Sequence, residues 1–204
     1  MPSPSITRTH SSGIHQLSTL NSYLRDAIGL ESKYQYLVGE VLMLRLFSIL
    51  EQMFCEVAYK LACGALYRNN TPPLLLRRCK SIQDAHTSMT TFSRTQPLLY
   101  LRWTKASYIN DNVRYIIDSN DPFLRNIRNH GSLINEMRIV RNHIAHRSAS
   151  TKQAYDRLIR ATYGGNLKLP IGGFLMSTRR TNPSKISTYL TSTIVVLNDI
   201  TQGV

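Results

Sequence analysis

Residues Tyr34–Tyr67, YQYLVGEVLMLRLFSILEQMFCEVAYKLACGALY, decide the fold. Leu42, Leu46, Ile49, Met53, Val57 and Leu61 recur at spacings of three and four, which places them on one face of an α-helix. Leu50, Phe54 and Ala58 widen that stripe. Gly39 and Gly64 are its weak points, and Asn69-Asn70-Thr71-Pro72-Pro73 is expected to end it. A helix of this length normally gains its stability by packing an apolar face, so it reads as the spine of a bundle. Arg45, Glu51, Glu56 and Lys60 interrupt the most apolar part, Val41 to Leu66, and four charges in that length suit water better than a bilayer. Of these charges, Glu51 and Lys60 are expected to face a groove.

Outward from this helix the pattern stays helical. Leu17, Leu20, Leu24 and Ile28 give a shorter amphipathic run over His15–Ile28, preceded by a Ser/Thr/Pro-rich stretch, residues 1–14, that reads as a disordered tail. That stretch has no apolar run behind it, unlike a signal peptide. Leu74–Ser81 reads as a helical turn, 84–96 as loop or a short polar helix, and 98–117 as one or two helices. Asp118–Pro122 is a turn. Leu133, Met137, Val140 and Ile144 predict a helix over Ser132–His146 with Ser132 as N-cap. Ser150 or Thr151 would cap a further helix to Tyr163, where Gly164-Gly165 stops it. Residues 166–183 read as a long loop with a small hairpin, and 187–200 as a last helix, with strand as the second reading. The expectation is one all-α domain, residues 15–204, built as a bundle of five or six helices.

The chain of 204 residues carries 25 Lys and Arg against 12 Asp and Glu, a formal charge of +13. Eighteen of the cations are arginine, and residues 69–204 hold 19 of them against seven acids. This disfavours an enzyme of small neutral metabolites and favours a partner that bears phosphate. Cys55, Cys63 and Cys79 cannot all pair internally and form no CxxC, which excludes a disulfide scaffold and a thiolate zinc knot. The expected compartment is the cytoplasm, with no membrane association.

The chemistry concentrates in Glu136-Met-Arg-Ile-Val-Arg-Asn-His-Ile-Ala-His146-Arg-Ser. Asn142 and His146 share a helical face. Arg141 lies about 140° away from His146 on an ideal helix, five residues at about 100° each. Convergence therefore requires the Arg side chain to reach round, or the helix to loosen near His146. Arg138, His143 and Arg147 add to the positive field. A histidine can move a proton near neutral pH, and a guanidinium can clamp a phosphate whose charge is growing. On the residues alone a second reading stands equally: cations are favourable at a helix C-terminus with no function at all. A metal site is disfavoured, since His143 and His146 have no Asp, Glu or Cys beside them in sequence. No cofactor is expected.

Arg141-Asn142-His143-Ile144-Ala145-His146 has the form R-N-x-x-x-H, which resembles the signature of the HEPN superfamily of small helical-bundle ribonucleases and nucleic-acid-associated domains. The apolar-periodic helix leading into the motif, the Ser-rich turn Ser148-Ala149-Ser150 and the long early helix around Leu50-Glu51 and Phe54 also resemble that family, particularly its RiboL-PSP branch. The resemblance implies a metal-independent endoribonuclease, in a toxin–antitoxin or antiviral role, acting on single-stranded or loop RNA from a homodimer cleft. His146 would be the acid–base residue, Arg141 the phosphate clamp and Asn142 the orienting residue. Glu51, Lys60, Arg138, His143 and Arg147 would support the site or bind RNA, and an antitoxin or another defence protein would be a partner. Glu56 and Lys60 resemble an acidic–basic pair that some branches set against the motif, though an ordinary i,i+4 ion pair explains them as well. In the branch regulated by nucleotide transfer to a tyrosine, that residue lies two past the histidine; here it is Ser148.

Two other function classes compete. One is a non-catalytic domain that binds RNA or assembles with proteins through the same basic face. The other is a helical DNA-binding regulator, for which only Asn129-His130-Gly131 offers a short turn. Tyr100, Trp103, Tyr108 and Tyr115 interleave with Arg102, Lys105 and Arg114, as base stacking would use, although most tyrosines in a domain of this size serve the core. Arg77-Arg78-Cys79-Lys80 and Arg179-Arg180 read as solvated charge that could widen an RNA footprint.

Overall fold

The computed structural model describes residues 5–93, 95–165, 167–178 and 182–204. Among these residues the chain is all-α, with nine helices: α1 Ile6–Ala27, α2 Ser32–Ala62, α3 Ile82–Thr91, α4 Ala106–Val113, α5 Pro122–Asn129, α6 Gly131–His146, α7 Ala149–Tyr163, α8 Ile171–Met176 and α9 Lys185–Gln202. There is no strand among them, only an antiparallel bridge between Leu75 and Ile117. The Arg179-Arg180 pair lies outside the described residues.

The long stripe is buried as its spacing requires, from Leu42 through Leu61. Its helix ends at Ala62, earlier than the Asn-Pro segment. Gly64 takes the left-handed conformation (φ 84°), and the Ala65 N–H returns to the Lys60 carbonyl at 3.0 Å, the usual way a glycine closes a last turn. At the other end of the chain, the stretch read as a tail is helical from Ile6. Ile6 and Thr9 are both buried, and a Cβ on Gly13 would lie 2.6 Å from a Leu197 methyl. Thr9 and Gly13 therefore face the core without counting as apolar, which hid the period.

The helix count exceeds five or six because short elements depend on caps and burial rather than on periodicity. At α3, the Ser81 side chain caps the helix by accepting from the Asp84 N–H, and Leu74–Ser81 before it is irregular rather than helical. At α5, Asp121 is the N-cap and Pro122 takes the first helical position, where its missing N–H costs nothing. The turn read at 118–122 is thus also a helix start. Helix α8 carries two glycines, poor helix formers, yet all six of its residues are buried. A Cβ on Gly172 would lie 2.3 Å from the Tyr36 Cβ, so the two backbones approach closely. The last segment is helix throughout, α9, and the strand reading is not realised.

The described chain divides into two compact units, each made of separated segments. The first comprises residues 1–14, 50–134 and 195–204, and the second 15–49 and 135–194. Helices α1, α2, α6 and α9 each contribute residues to both, so no stretch of sequence could have marked a boundary. The first unit contains a buried polar network in which the fully buried Asp121 carboxylate accepts from the Tyr67 hydroxyl, the Leu74 N–H at 2.8 Å and the Phe123 N–H at 2.9 Å. In the second, Glu136 accepts from Lys185 Nζ and the Tyr189 hydroxyl, each at 2.7 Å, which settles its charge within the fold.

Candidate functional site

The motif occupies the C-terminal half of α6, within the second unit. Ile134, Met137 and Val140 are the buried positions, while Leu133 and Ile144 are half-buried, so the inward face is rotated slightly from that read in sequence. Gly131 starts the helix directly after α5, and Ser132 is already inside the first turn rather than capping it. Helix α6 then runs unbroken to His146. Of the two ways in which Arg141 could approach the His146 face, unwinding is not used. The Arg141 side chain comes round instead: its Nη1 donates to Asn142 Oδ1 at 3.2 Å, and Asn142 lies one turn before His146.

His146 is exposed at the last helical position, and its imidazole has no hydrogen-bond partner among the described residues. Arg147 ends the helix in the left-handed region (φ 44°), unusual for a residue with a Cβ. Its guanidinium pairs with Glu40 Oε2 at 3.0 Å. Ser148, not Ser150 or Thr151, caps α7, accepting from the Thr151 N–H. The α6–α7 connection is therefore only Arg147-Ser148, and it holds the motif end in one direction.

His143 is the better-anchored histidine. Its Nδ1 lies 3.2 Å from Thr151 Oγ1, and its ring centroid lies 5.0 Å from that of Tyr155. Burial pushes its pKa below the usual histidine value of 6.5, the charges around it adding smaller and mixed effects. His10, in the first unit, is lowered mainly by burial too. A histidine held neutral in the fold contributes stability above about pH 6.5 that is lost as pH falls through that value toward the folded one, because the unfolded chain takes up a proton that the folded chain refuses. The melting temperature should thus fall between pH 7 and pH 5. In His143→Gln the fall should be shallower, by up to about one proton in the pH slope. Thermal unfolding followed by circular dichroism at several pH values measures this, and equal slopes would exclude His143 as a contributor.

Arg138 donates from Nη2 to Asn135 Oδ1 at 2.9 Å, and its Nε is buried with no hydrogen-bond partner. It lines a cavity of about 200 Å³ together with Asn142, Ser150 and Thr151. Neither Arg138 nor Arg141 is paired with a carboxylate among the described residues, whereas Arg147, Lys152 and Lys185 all are. Two guanidinium groups one turn apart, one of them with a buried unsatisfied Nε, thus leave this helix end with positive charge that no carboxylate among the described residues offsets.

Glu51 and Lys60 belong to the other unit. Lys60 is not left to a groove: it pairs with Glu56 at 3.8 Å, donates to the Thr9 hydroxyl and reaches the Ser5 carbonyl at 3.3 Å. Glu51 is half-buried. Among the described residues no three His, Cys, Asp or Glu side chains come together as a metal site would require, and no helix is long and apolar enough to cross a membrane. No protein-family model matches the chain, and no curated protein or solved structure is found similar to it.

Three features escape the sequence reading: the Glu136 pairings, the left-handed Arg147 and the His143–Thr151–Tyr155 contact. The first and third join positions far apart in sequence or across a turn. For the second, the Ser148-x-x-Thr151 capping pattern was the available signal, since a new N-cap two residues after His146 leaves room for nothing but a tight turn.

Proposed function

We propose that this protein is an endoribonuclease that cleaves single-stranded or loop RNA by transfer to the 2′-hydroxyl, as the resemblance of the Arg141–His146 motif to the HEPN signature implies. The observation that carries the reading is the pair of carboxylate-free arginines, Arg138 and Arg141, one turn apart on α6 with Arg141 drawn onto Asn142 below the exposed His146. A neutral His146 draws the proton from the 2′-hydroxyl, and a second imidazole protonates the departing 5′-oxygen. Arg141 binds the non-bridging oxygens, more tightly as charge grows on them in the transition state. Asn142 keeps the guanidinium on the His146 side. The products are a 2′,3′-cyclic phosphate and a 5′-hydroxyl, because the attacking oxygen belongs to the same ribose. The basic composition supports the choice of substrate, and an unpaired strand suits the in-line geometry. Incubating single-stranded RNA with the pure protein in EDTA and identifying the product ends tests the proposal; a requirement for divalent metal or 5′-phosphate products would refute it.

One motif supplies one exposed histidine, whereas the reaction takes one proton and gives another, so the working unit is a two-fold dimer with a self-complementary interface. The Glu40–Arg147 pair supports a particular surface for it. This pair fixes the motif end to the turn of α2 that carries Leu37 and Val41, which remain 60% and 51% exposed and continue a stripe begun by Tyr34. Leu37→Glu should give a monomer by analytical ultracentrifugation at micromolar protein and should lose cleavage with it. A Leu37→Glu dimer of normal activity would remove this surface from the proposal.

A further inference from the structure

The first unit presents a second cationic surface, made of different chemistry. Between α3 and α4, residues 95–105 form no regular element and are anchored where the Leu98 N–H donates to the Thr90 carbonyl at 3.0 Å. Trp103 turns into the core and meets Tyr59 edge-on, at 5.9 Å between centroids. The residues before it do the opposite. Leu99 is 97% exposed and Tyr100 62% exposed, so the two together give folding little by burial. Together with Arg102, Tyr108 and Asn112 they line an open groove of about 480 Å³.

The polar groups of this groove are arranged around the aromatic faces. The Arg102 guanidinium lies 5.6 Å from the centroids of both Tyr100 and Tyr108, and Lys105 Nζ lies 5.8 Å from Tyr108. Neither cation is paired with a carboxylate among the described residues. The Asn112 side chain is itself buried and donates to the Arg102 carbonyl at 2.8 Å, which holds the backbone of Arg102 at the wall. Asp111, the one carboxylate in the lining, is offset by Arg114 at 3.8 Å. Residues 74–117 carry seven Lys and Arg against two Asp, a net +5.

We infer that this groove binds an unpaired nucleobase of a single-stranded RNA, stacked on Tyr100 or Tyr108 with its backbone phosphate on Arg102 and Lys105. The exposed Tyr100 ring and the half-buried Tyr108 ring, beside cations that no carboxylate among the described residues neutralises, are what single-strand binding requires. Arg102 Nη2 donates to the Tyr100 hydroxyl, a neutral group, at 3.4 Å, and a paired base offers no face to these rings. The net positive charge favours a polyanion, and adenine offers a larger face for stacking than uracil does. The inference shares its ligand class with the proposed ribonuclease but rests on separate residues, none of them in the motif.

The test is fluorescence anisotropy in EDTA, on a His146→Ala background so that no probe is cut, with labelled A12, U12 and an A12·U12 duplex. Tyr100→Ala should weaken A12 about tenfold and leave the duplex unchanged, while Tyr100→Phe, which keeps the ring and loses only the hydroxyl that accepts from Arg102, should lose much less. Arg102→Ala should weaken A12 and lower the salt slope by about one phosphate contact. A12 should bind more tightly than U12. Unchanged A12 affinity in Tyr100→Ala, equal losses for strand and duplex, or no A12 binding by the parent would each overturn the inference. So would loss of a polyglutamate peptide in Tyr100→Ala with A12 unaffected, which would make the groove a docking surface for an acidic protein. Cleavage by the wild type is scored separately, so a failed groove and a failed ribonuclease give different results.

Discussion

His146→Ala should lose RNA cleavage by at least a hundredfold, the lower end of what a positioned acid–base group contributes, while folding and RNA affinity stay close to wild type. The side chain is exposed at the last position of α6 and holds no other group in place. Its removal therefore leaves no cavity and no orphaned partner. Arg141→Ala should differ in kind. It removes one of two unpaired guanidinium groups from the helix end, so both cleavage and salt-dependent binding should fall, the latter with a shallower dependence on salt. A substrate lacking the 2′-hydroxyl at the scissile position should bind and remain intact. The measurement is a time course of single-stranded RNA cleavage in EDTA, paired with binding of the deoxy-substituted strand. Activity that survives His146→Ala sinks the mechanism. Loss of cleavage together with loss of binding would make His146 a binding group rather than an acid–base one.

Asp121→Ala should destabilise the fold by about 4 kcal/mol. The carboxylate is fully buried and receives three donors, from Tyr67, Leu74 and Phe123. Each buried donor left without an acceptor costs about 1–3 kcal/mol, and losing an N-cap costs about 1 kcal/mol, with some of this relieved by water. Against a total stability on the order of 5–15 kcal/mol this threatens the fold. For a chain of this size it corresponds to a melting temperature lower by about 10 °C. Asp121→Asn keeps the volume and one acceptor oxygen and should lose much less. Tyr67→Phe removes a single donor and should fall between wild type and Asp121→Ala. Thermal unfolding of the three variants decides it: Asp121→Ala melting within about 2 °C of wild type would show that the network does not hold the first unit together.

Periodicity was sufficient for the elements that bury a continuous apolar stripe. Leu42 through Leu61, Met137 with Val140, and Tyr155 with Ile159 each repeat at three and four residues, and each is buried. For such helices one face decides everything, and the face is written in the spacing. The all-α class, the long helix, the helix that carries the motif and the positive charge were legible for that reason. So were the residue types of the candidate site, since an arginine, an asparagine and a histidine within six positions of a helix end need no tertiary information to be noticed.

What the tertiary structure alone decided is where a local rule loses to a distant neighbour. Helix α8 keeps a glycine at 172 because Tyr36, far away in sequence, leaves room there for a backbone and not for a Cβ. Ile6 starts a helix because Thr9 and Gly13 fit a buried face that no hydropathy count would assign to them. The site depends on the same kind of choice at the level of charge. Arg147 looks as available in sequence as Arg138 and Arg141, yet it ends in an ion pair with Glu40, and the other two find no carboxylate among the described residues. The difference lies in which acids the fold carries to each cation, and Coulomb energy depends on that distance rather than on the order of residues along the chain.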